Sequence, residues 1–197
     1  MARKMSKAKP VIVYLHRYPP EIEAYQWPAL RELTEVLAAD HELIYASMGP
    51  AGGKRDAELR QNMRLIELPF TVDQANGRDK WRKTRLWYRH LDSLLQQICA
   101  LAPALIICKE TLPLIPGRVV KLGIPTIIAT SDWWWSILLG HWGWGRRLAG
   151  WLEKREVRSW NRPHVKATVS TEAEKRLLAA KGMNESRIVV INAPQNP

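Results

Sequence analysis

The sequence predicts an α/β fold built on a mostly parallel sheet of about seven strands, with helices on both faces. Two observations predict it. Seven short apolar runs occur along the 197 residues, and helical patterns separate most of them. Several runs are β-branched and uninterrupted, which is typical of parallel strands buried on both faces. The predicted strands are 11–15, 41–47, 63–69, 104–108, 124–130, 165–170 and 187–192.

The first half of the chain alternates strand and helix patterns. Residues 16–27 predict the first loop, and a helix follows it because apolar residues recur at helical spacing, namely Leu30, Leu33, Val36 and Leu37. Residues 49–54 are rich in Gly and Pro and predict a loop. Residues 78–102 predict a longer helix with a basic first half. Its apolar stripe consists of Trp87, Leu91, Leu94 and Ile98.

The second half carries explicit signals for helix ends. Residues 114–123 predict a short helix closed by Gly123, and residues 137–161 a helical segment interrupted by Gly and Trp. A third helix over 171–182 begins with Thr171 and Glu174 at the spacing of a capping box and ends at Gly182. These signals support alternation of strand and helix to the end of the chain.

Composition excludes several classes of protein. Apolar residues make up 46% and charged residues 25%, which is globular composition. Two cysteines, Cys99 and Cys108, predict buried thiols in a reducing compartment rather than a disulfide scaffold or a zinc finger. The apolar run at 11–15 is too short for a secretion signal, and no run approaches the ~18 residues of a spanning helix. We expect a cytoplasmic protein, or one bound to a membrane face.

Charge and motifs limit the classes of ligand that we expect this protein to bind. Thirty Lys and Arg against 19 Asp and Glu give a net charge of +11, which favours an anionic partner. No dinucleotide fingerprint and no P-loop occurs, so ordinary NAD binding is not expected. Four histidines show no metal-ligand spacing and predict no metal site: His41, His90, His141 and His164.

Three stretches carry a resemblance to a known family. They are YPPEIEAYQWPALRELTEVLAADHELIYAS after the first strand, LAPALIICKETLPLIPGRVVKLGIPTIIATSDW, and VKATVSTEAEKRLLAAKGMNESRIVVINAPQNP. In order and spacing, the chain resembles the N-terminal domain of GT-B-fold glycosyltransferases, close to the retaining family four. That domain is Rossmann-like and mainly binds the acceptor.

The resemblance implies an organisation and a chemistry. It implies a basic tail at 1–9, a Rossmann-like acceptor-binding domain at 10–192 and the start of an interdomain linker at 193–197. A C-terminal domain absent from this sequence would bind a nucleotide-diphosphate sugar as donor, and catalysis would need no metal. The chain would then be a fragment or a subunit, inactive alone.

Two positions depart from the family pattern. The family often has a Gly-Gly pair in its first loop, where this chain has Glu23 and Ala24. Glycine lets backbone N–H groups approach a donor phosphate, so the departure puts that contact in doubt. The family histidine after the fifth strand is matched by Ser131, beside Asp132.

Ligands of parallel sheets bind at the carboxyl ends of the strands, which selects the candidate site residues. Asp132 is the tentative catalytic or acceptor-orienting group, and a helix N-cap is its alternative. The substrate-binding candidates are Pro20, Glu21, Glu23, Lys109, Glu110, Ser131, Ser170 and Asn192. The carboxylates and Lys109 could equally be solvated, Pro20 a rigid turn, and Ser170 a helix cap. His16, which follows the first strand, is either chemical or structural.

Residues 131–162 hold seven of the ten tryptophans, interleaved with Arg and Lys. Tryptophan prefers the membrane interface, and basic residues are attracted to anionic lipids. The predicted membrane-contact residues are Trp133, Trp134, Trp135, Trp142, Trp144, Arg146, Arg147 and Trp151. The basic start of the helix at 78–90, with Trp81 and Trp87, could extend that surface. The alternatives are a core or interdomain role, and less favoured nucleic-acid binding.

The sequence therefore leads to two hypotheses. One is the acceptor-binding domain of a membrane-associated glycosyltransferase in envelope or exopolysaccharide synthesis, with a lipid-linked or glycan acceptor, peripheral on the inner face of the membrane. The other is a non-catalytic subunit that anchors a separate donor-binding catalytic subunit to the membrane.

Overall fold

The computed structural model describes residues 8–21, 24, 29–49, 57–71, 77–109, 112–130, 136, 139 and 143–191. The strands are β1 (Val11–Leu15), β2 (Glu42–Gly49), β3 (Arg64–Thr71), β4 (Leu105–Cys108), β5 (Thr126–Ala129), β6 (Val165–Val169) and β7 (Ile188–Val190). The helices are α1 (Ala29–Asp40), α2 (Ala57–Gln61), α3 (Gly77–Ala100), α4 (Ile115–Val120), α5 (Gly143–Ser159) and α6 (Glu172–Ala180), and a short 3-10 turn covers Glu185–Arg187.

The strands form one seven-stranded sheet in the order β3-β2-β1-β4-β5-β6-β7. The pairs β1–β2, β2–β3, β4–β5, β5–β6 and β6–β7 are parallel. Parallel neighbours require crossover connections, which the helices supply. The predicted α/β class, the parallel pairing and the number of strands are confirmed. Contacts divide the chain into two compact units, Met1–Ala104 and Leu105–Pro197.

The core of the first unit is built from β1, β2 and α3. Residues 12–15 of β1 are at most 3% exposed, which explains the uninterrupted apolar run in the sequence. Strand β2 pairs with both β1 and β3, so its residues 43–46 are equally buried. The predicted stripe of α3 is fully buried, each member being 0% exposed: Trp87, Leu91, Leu94 and Ile98.

The core of the second unit gathers around β6. Its apolar cluster consists of Val120, Ile128, Val157, Trp160, Val165, Ala167, Val169, Leu178, Met183 and Ile188. Gly123 (φ 75°) and Gly182 (φ 105°) have left-handed backbone just after α4 and α6. Only glycine adopts these angles without strain, so the two predicted helix stops are confirmed.

Several boundaries differ from the prediction. The first loop, predicted over 16–27, contains helical residues at Pro20, Glu21 and Ala24, and helix α1 begins at Ala29. Helix α2 follows the predicted loop and was not predicted, because five residues with one buried side chain, Leu59, show no helical period.

Two burial predictions were wrong. Cys108 is buried, but Cys99 is exposed. Cys99 follows Ile98 on α3, and a step of about 100° turns it away from the buried stripe. Trp87 is 0% exposed and cannot extend a membrane-contact surface. It lies on the buried stripe of α3, and its basic neighbours in the sequence do not determine which side of the helix it occupies.

No helix in the described part of the chain is long and apolar enough to cross a bilayer.

Candidate functional site

The loop after β1 lies at the carboxyl end of a buried strand in the first unit. The N–H of His16 donates to the carbonyl of Ala46 at 3.1 Å, and the N–H of Met48 donates to the carbonyl of Arg17 at 3.2 Å. These bonds continue the β1–β2 ladder past the end of β1. His16 and Arg17 are therefore held in place by the backbone, and both side chains are buried.

The ring of Tyr18 contacts both side chains. The ring of Tyr18 meets the His16 imidazole edge-on at 5.3 Å between centroids, and the Arg17 guanidinium lies 4.7 Å from the Tyr18 centroid. The hydroxyl of Tyr45 donates to the Tyr18 carbonyl at 3.2 Å, and Tyr45 stacks on Tyr14 at 5.0 Å. The loop thus holds an imidazole and a guanidinium, groups that can hydrogen-bond hydroxyls and anions.

Glu21 is bound by Arg60 rather than left to solvent. The Nε of Arg60 donates to Oε1 of Glu21, and its Nη2 donates to Oε1 of Glu67 at 2.9 Å. The three side chains are only 15–21% exposed. The hydrogen bond to Glu21 raises the pKa of the Arg60 guanidinium, against the opposing effect of burial. Arg60, on α2, thereby ties the start of the first loop to β3.

In the second unit, the ends of β4 and β5 carry further candidates. Lys109 directly follows β4 and is half-buried. After β5, Thr130 is fixed to β6, because its N–H and hydroxyl both donate to the carbonyl of Thr168, at 3.2 and 3.0 Å. These bonds fix the backbone at the end of β5.

Ser170 follows β6 and is exposed. The helix cap is Thr171: its hydroxyl accepts from the N–H of Glu174 at 3.1 Å. The Glu174 carboxylate accepts in return from the N–H groups of Thr171 and Ser170, at 3.1 and 2.7 Å. The predicted capping box is confirmed. Ser170 is therefore not the helix cap, and its exposed side chain lies at the end of β6.

A buried carboxylate organises the segment that follows β5. Glu153 of α5 is 3% exposed and accepts from the backbone N–H of Ser136 at 3.0 Å and from its hydroxyl at 2.6 Å. Its other oxygen accepts from Lys181, just after α6. A buried carboxylate is costly unless it is hydrogen-bonded. Glu153 therefore holds Ser136 against α5 and joins α5 to the residue after α6.

The remaining predicted site residues lie outside the described residues. These are Glu23, Glu110, Ser131, Asp132 and Asn192. Pro20, which is described, is buried at the start of a helical turn.

Only some of the predicted membrane-contact residues are among the described residues. Trp133, Trp134, Trp135 and Trp142 lie outside the described residues. Trp144 and Trp151 are 65% and 55% exposed on α5, and Arg146 and Arg147 beside them are also exposed. Trp160, one of the seven tryptophans of that stretch, is 4% exposed and belongs to the core.

Four residues that organise these loops were missed by sequence reasoning: Arg17, Arg60, Glu67 and Glu153. Arg17 carried one usable signal, since it follows His16 at a predicted strand end. The partners of the other three became visible only in the fold. Within the described ranges, no group of three or more His, Cys, Asp or Glu side chains could hold a metal ion.

Comparisons with protein families and with curated proteins found no match. Solved structures do match in fold. One is HepE (Alr3699) of Anabaena, in complex with UDP and glucose: the TM-score is 0.54 at 15% identity, over 92% of this chain and 44% of that one.

Two plant structures are similar in the same way. UGT73P12 of Glycyrrhiza uralensis, complexed with glycyrrhetinic acid 3-O-monoglucuronide, has a TM-score of 0.56 at 10% identity, over 95% of this chain and 49% of its own. UGT89C1 of Arabidopsis thaliana, complexed with quercetin, has a TM-score of 0.56 at 14% identity, over 93% and 50%. The neighbours are GT-B glycosyltransferases, and this chain spans about half of their length.

Proposed function

We propose that this chain is the acceptor-binding half of a glycosyltransferase that works at a membrane surface. The whole enzyme would move a sugar from a nucleotide-diphosphate sugar to a lipid-linked or other glycan acceptor. One observation carries the proposal: the fold similarity covers 92–95% of this chain but only 44–50% of each neighbouring glycosyltransferase. A half of that size fits one side of a two-domain enzyme.

The bound molecules of the neighbours support the choice of substrates. HepE was solved with UDP and glucose, and UGT89C1 both with UDP and with quercetin, a hydroxylated compound. By analogy, a UDP-sugar is the first donor to test. In this chain the acceptor would meet the strand ends, where Lys109 and Ser170 supply polar groups and Asp132 is the proposed orienting group.

The loop after β1, in the first unit, carries a separate candidate for a base. A sugar hydroxyl that attacks a donor must lose a proton, and an imidazole titrates in the range where it can accept one. His16 is held at the end of β1 by its bond to Ala46 and by the ring of Tyr18. We assign it the proton-accepting role if the reaction needs a base.

A transfer assay tests the proposal. The chain is incubated with UDP-[¹⁴C]glucose, other radiolabelled nucleotide sugars and membranes of its own cells, first alone and then as the complete native assembly. We expect transfer only by the assembly. We also expect Lys109→Ala to lower it about tenfold or more, and Lys121→Ala, an exposed lysine after α4, to leave it unchanged.

Either of two results would overturn the proposal as stated. The first is sugar transfer by the 197-residue chain alone. The second is a complete assembly, folded by circular dichroism, that transfers sugar from none of the nucleotide sugars.

The alternative is a non-catalytic subunit that anchors a separate catalytic protein to the membrane. The exposed Trp144 and Trp151 support it, because a membrane-binding face is expected of an anchoring subunit as well as of a membrane-bound enzyme. In that case the assembly would transfer sugar, and Lys109→Ala would leave the rate unchanged.

A further inference from the structure

Helix α5 has two faces of different chemistry. Its inner face recurs every four residues and packs into the second unit: Gly145, Ala149, Glu153 and Val157 are buried. The hydrogen bonds of Glu153 to Ser136 and Lys181 fix the rotation of the helix about its axis. The opposite face is therefore presented to solvent in one orientation.

That opposite face is apolar and aromatic along one stripe. Trp144, Leu148 and Trp151 follow one another at intervals of four and three residues and are 65%, 38% and 55% exposed. Single exposed apolar residues are common in soluble proteins, but three large ones on one helical stripe mark an interaction surface.

The charges beside the stripe are all positive. The exposed basic residues on this side of the helix are Arg147, Lys154, Arg155 and Arg158. The guanidinium of Arg155 lies 5.5 Å from the centroid of the Trp151 ring. Both acids of α5 point elsewhere, since Glu153 is buried and Glu156 accepts from the backbone N–H of Leu114 at 2.8 Å.

We propose that this outward face of α5 binds anionic phospholipid, with Trp144, Leu148 and Trp151 at the level of the head groups and the four basic residues against the lipid phosphates. The proposal rests on the proposed function, because it names the lipid that this half of the proposed enzyme would bind at the membrane surface. Charge complementarity selects the occupant: an aromatic stripe flanked by cations alone, on a helix too polar to span, has the composition of an interfacial helix.

The packing of the inner face removes the entropic cost of forming the helix when lipid binds. A helix that forms only on the membrane must first be ordered, whereas α5 is already folded against the second unit.

Vesicle co-sedimentation tests the proposal. The full 197-residue chain is mixed with vesicles of phosphatidylcholine alone and with 30% phosphatidylglycerol, at about 50 and 500 mM salt. We expect binding that needs the anionic lipid and weakens with salt. Trp144→Ser with Trp151→Ser should weaken it at least about tenfold. Arg155→Gln with Arg158→Gln should weaken it about 30-fold, since each charge near the surface contributes about one factor of five.

Two control variants test whether the loss of binding is specific to α5. Lys121→Gln with Arg176→Gln removes the same charge from exposed positions off α5, and Leu177→Ser removes an apolar side chain that is 44% exposed on α6. Both should bind as the parent does. All variants should unfold within a few degrees of the parent, since every substituted side chain is exposed.

Three outcomes would overturn the proposal: equal binding to both vesicles, no loss in the α5 variants, or binding of single-stranded RNA in place of vesicles. The assay contains no sugar nucleotide and no glycan. A failure here therefore removes the membrane surface from the proposed function and leaves sugar transfer standing, whereas a failure of the transfer assay leaves lipid binding standing.

Discussion

Arg60 connects the first loop to β3 in the first unit. It holds Glu21 at the start of the first loop and Glu67 on β3, and all three side chains are largely shielded from water. Charged hydrogen bonds of this kind are stronger than neutral ones, and removal of one partner leaves a half-buried charge. The conformation of the loop therefore depends on a residue 39 positions away in the sequence.

A double-mutant cycle on Glu21 and Arg60 measures that dependence. With Glu21→Gln, Arg60→Met and the double variant, we expect a coupling of about 1 kcal/mol in the free energy of unfolding by urea. The control is the cycle on Glu42 and Arg64, whose atoms are 3.6 Å apart but whose side chains are 46% and 61% exposed. That pair should couple close to zero, because solvent screens it. Equal couplings would contradict the assigned role of Arg60.

At the scale of elements, α6 shows how a cap positions a strand end. The capping box of Thr171 and Glu174 satisfies the N–H groups of Ser170, Thr171 and Glu174 at the point where β6 ends. The carboxylate in the first turn also interacts favourably with the helix dipole. The box thus holds the backbone of Ser170, a candidate acceptor contact, in one conformation.

Thr171→Ala should cost about 1 kcal/mol of stability, since it removes the hydroxyl that accepts from Glu174. Ser170→Ala is the control, because only the backbone N–H of Ser170 takes part in the box. It should leave the midpoint of thermal unfolding nearly unchanged. If the two variants melt at the same temperature, the cap does not stabilise α6.

At the scale of the whole molecule, size and similarity point the same way. A chain of 22.7 kDa covers about half of each glycosyltransferase that it resembles in fold. The proposed enzyme therefore needs a second half, either covalently joined or as a partner subunit.

Intact mass spectrometry and co-purification from native cells distinguish these arrangements. We expect either a product of roughly twice 22.7 kDa, which is a second domain of ordinary size, or a donor-binding protein that co-purifies at one-to-one stoichiometry. A product of 22.7 kDa that purifies alone from gentle lysates would remove the basis for a half enzyme.

The sequence by itself determined the elements whose signals are local. Short apolar runs identified seven strands, and a period near 3.6 identified the buried stripe of α3. The pair Thr171 and Glu174 identified the start of α6, and Gly123 and Gly182 two helix ends. These features were predictable because each depends on backbone geometry within a few residues.

Only the tertiary structure decided which side chains meet and which tryptophans face solvent. Trp87 and Trp160 are buried, whereas Trp144 and Trp151 are exposed, although all four lie among basic residues. Helical phase and the packing of neighbouring elements set that difference, and composition does not record either. Glu153 and Lys181 lie 28 residues apart, so their pairing exists only once α5 and α6 pack in the folded unit. A contact between distant residues depends on the fold as a whole, and no local pattern encodes it.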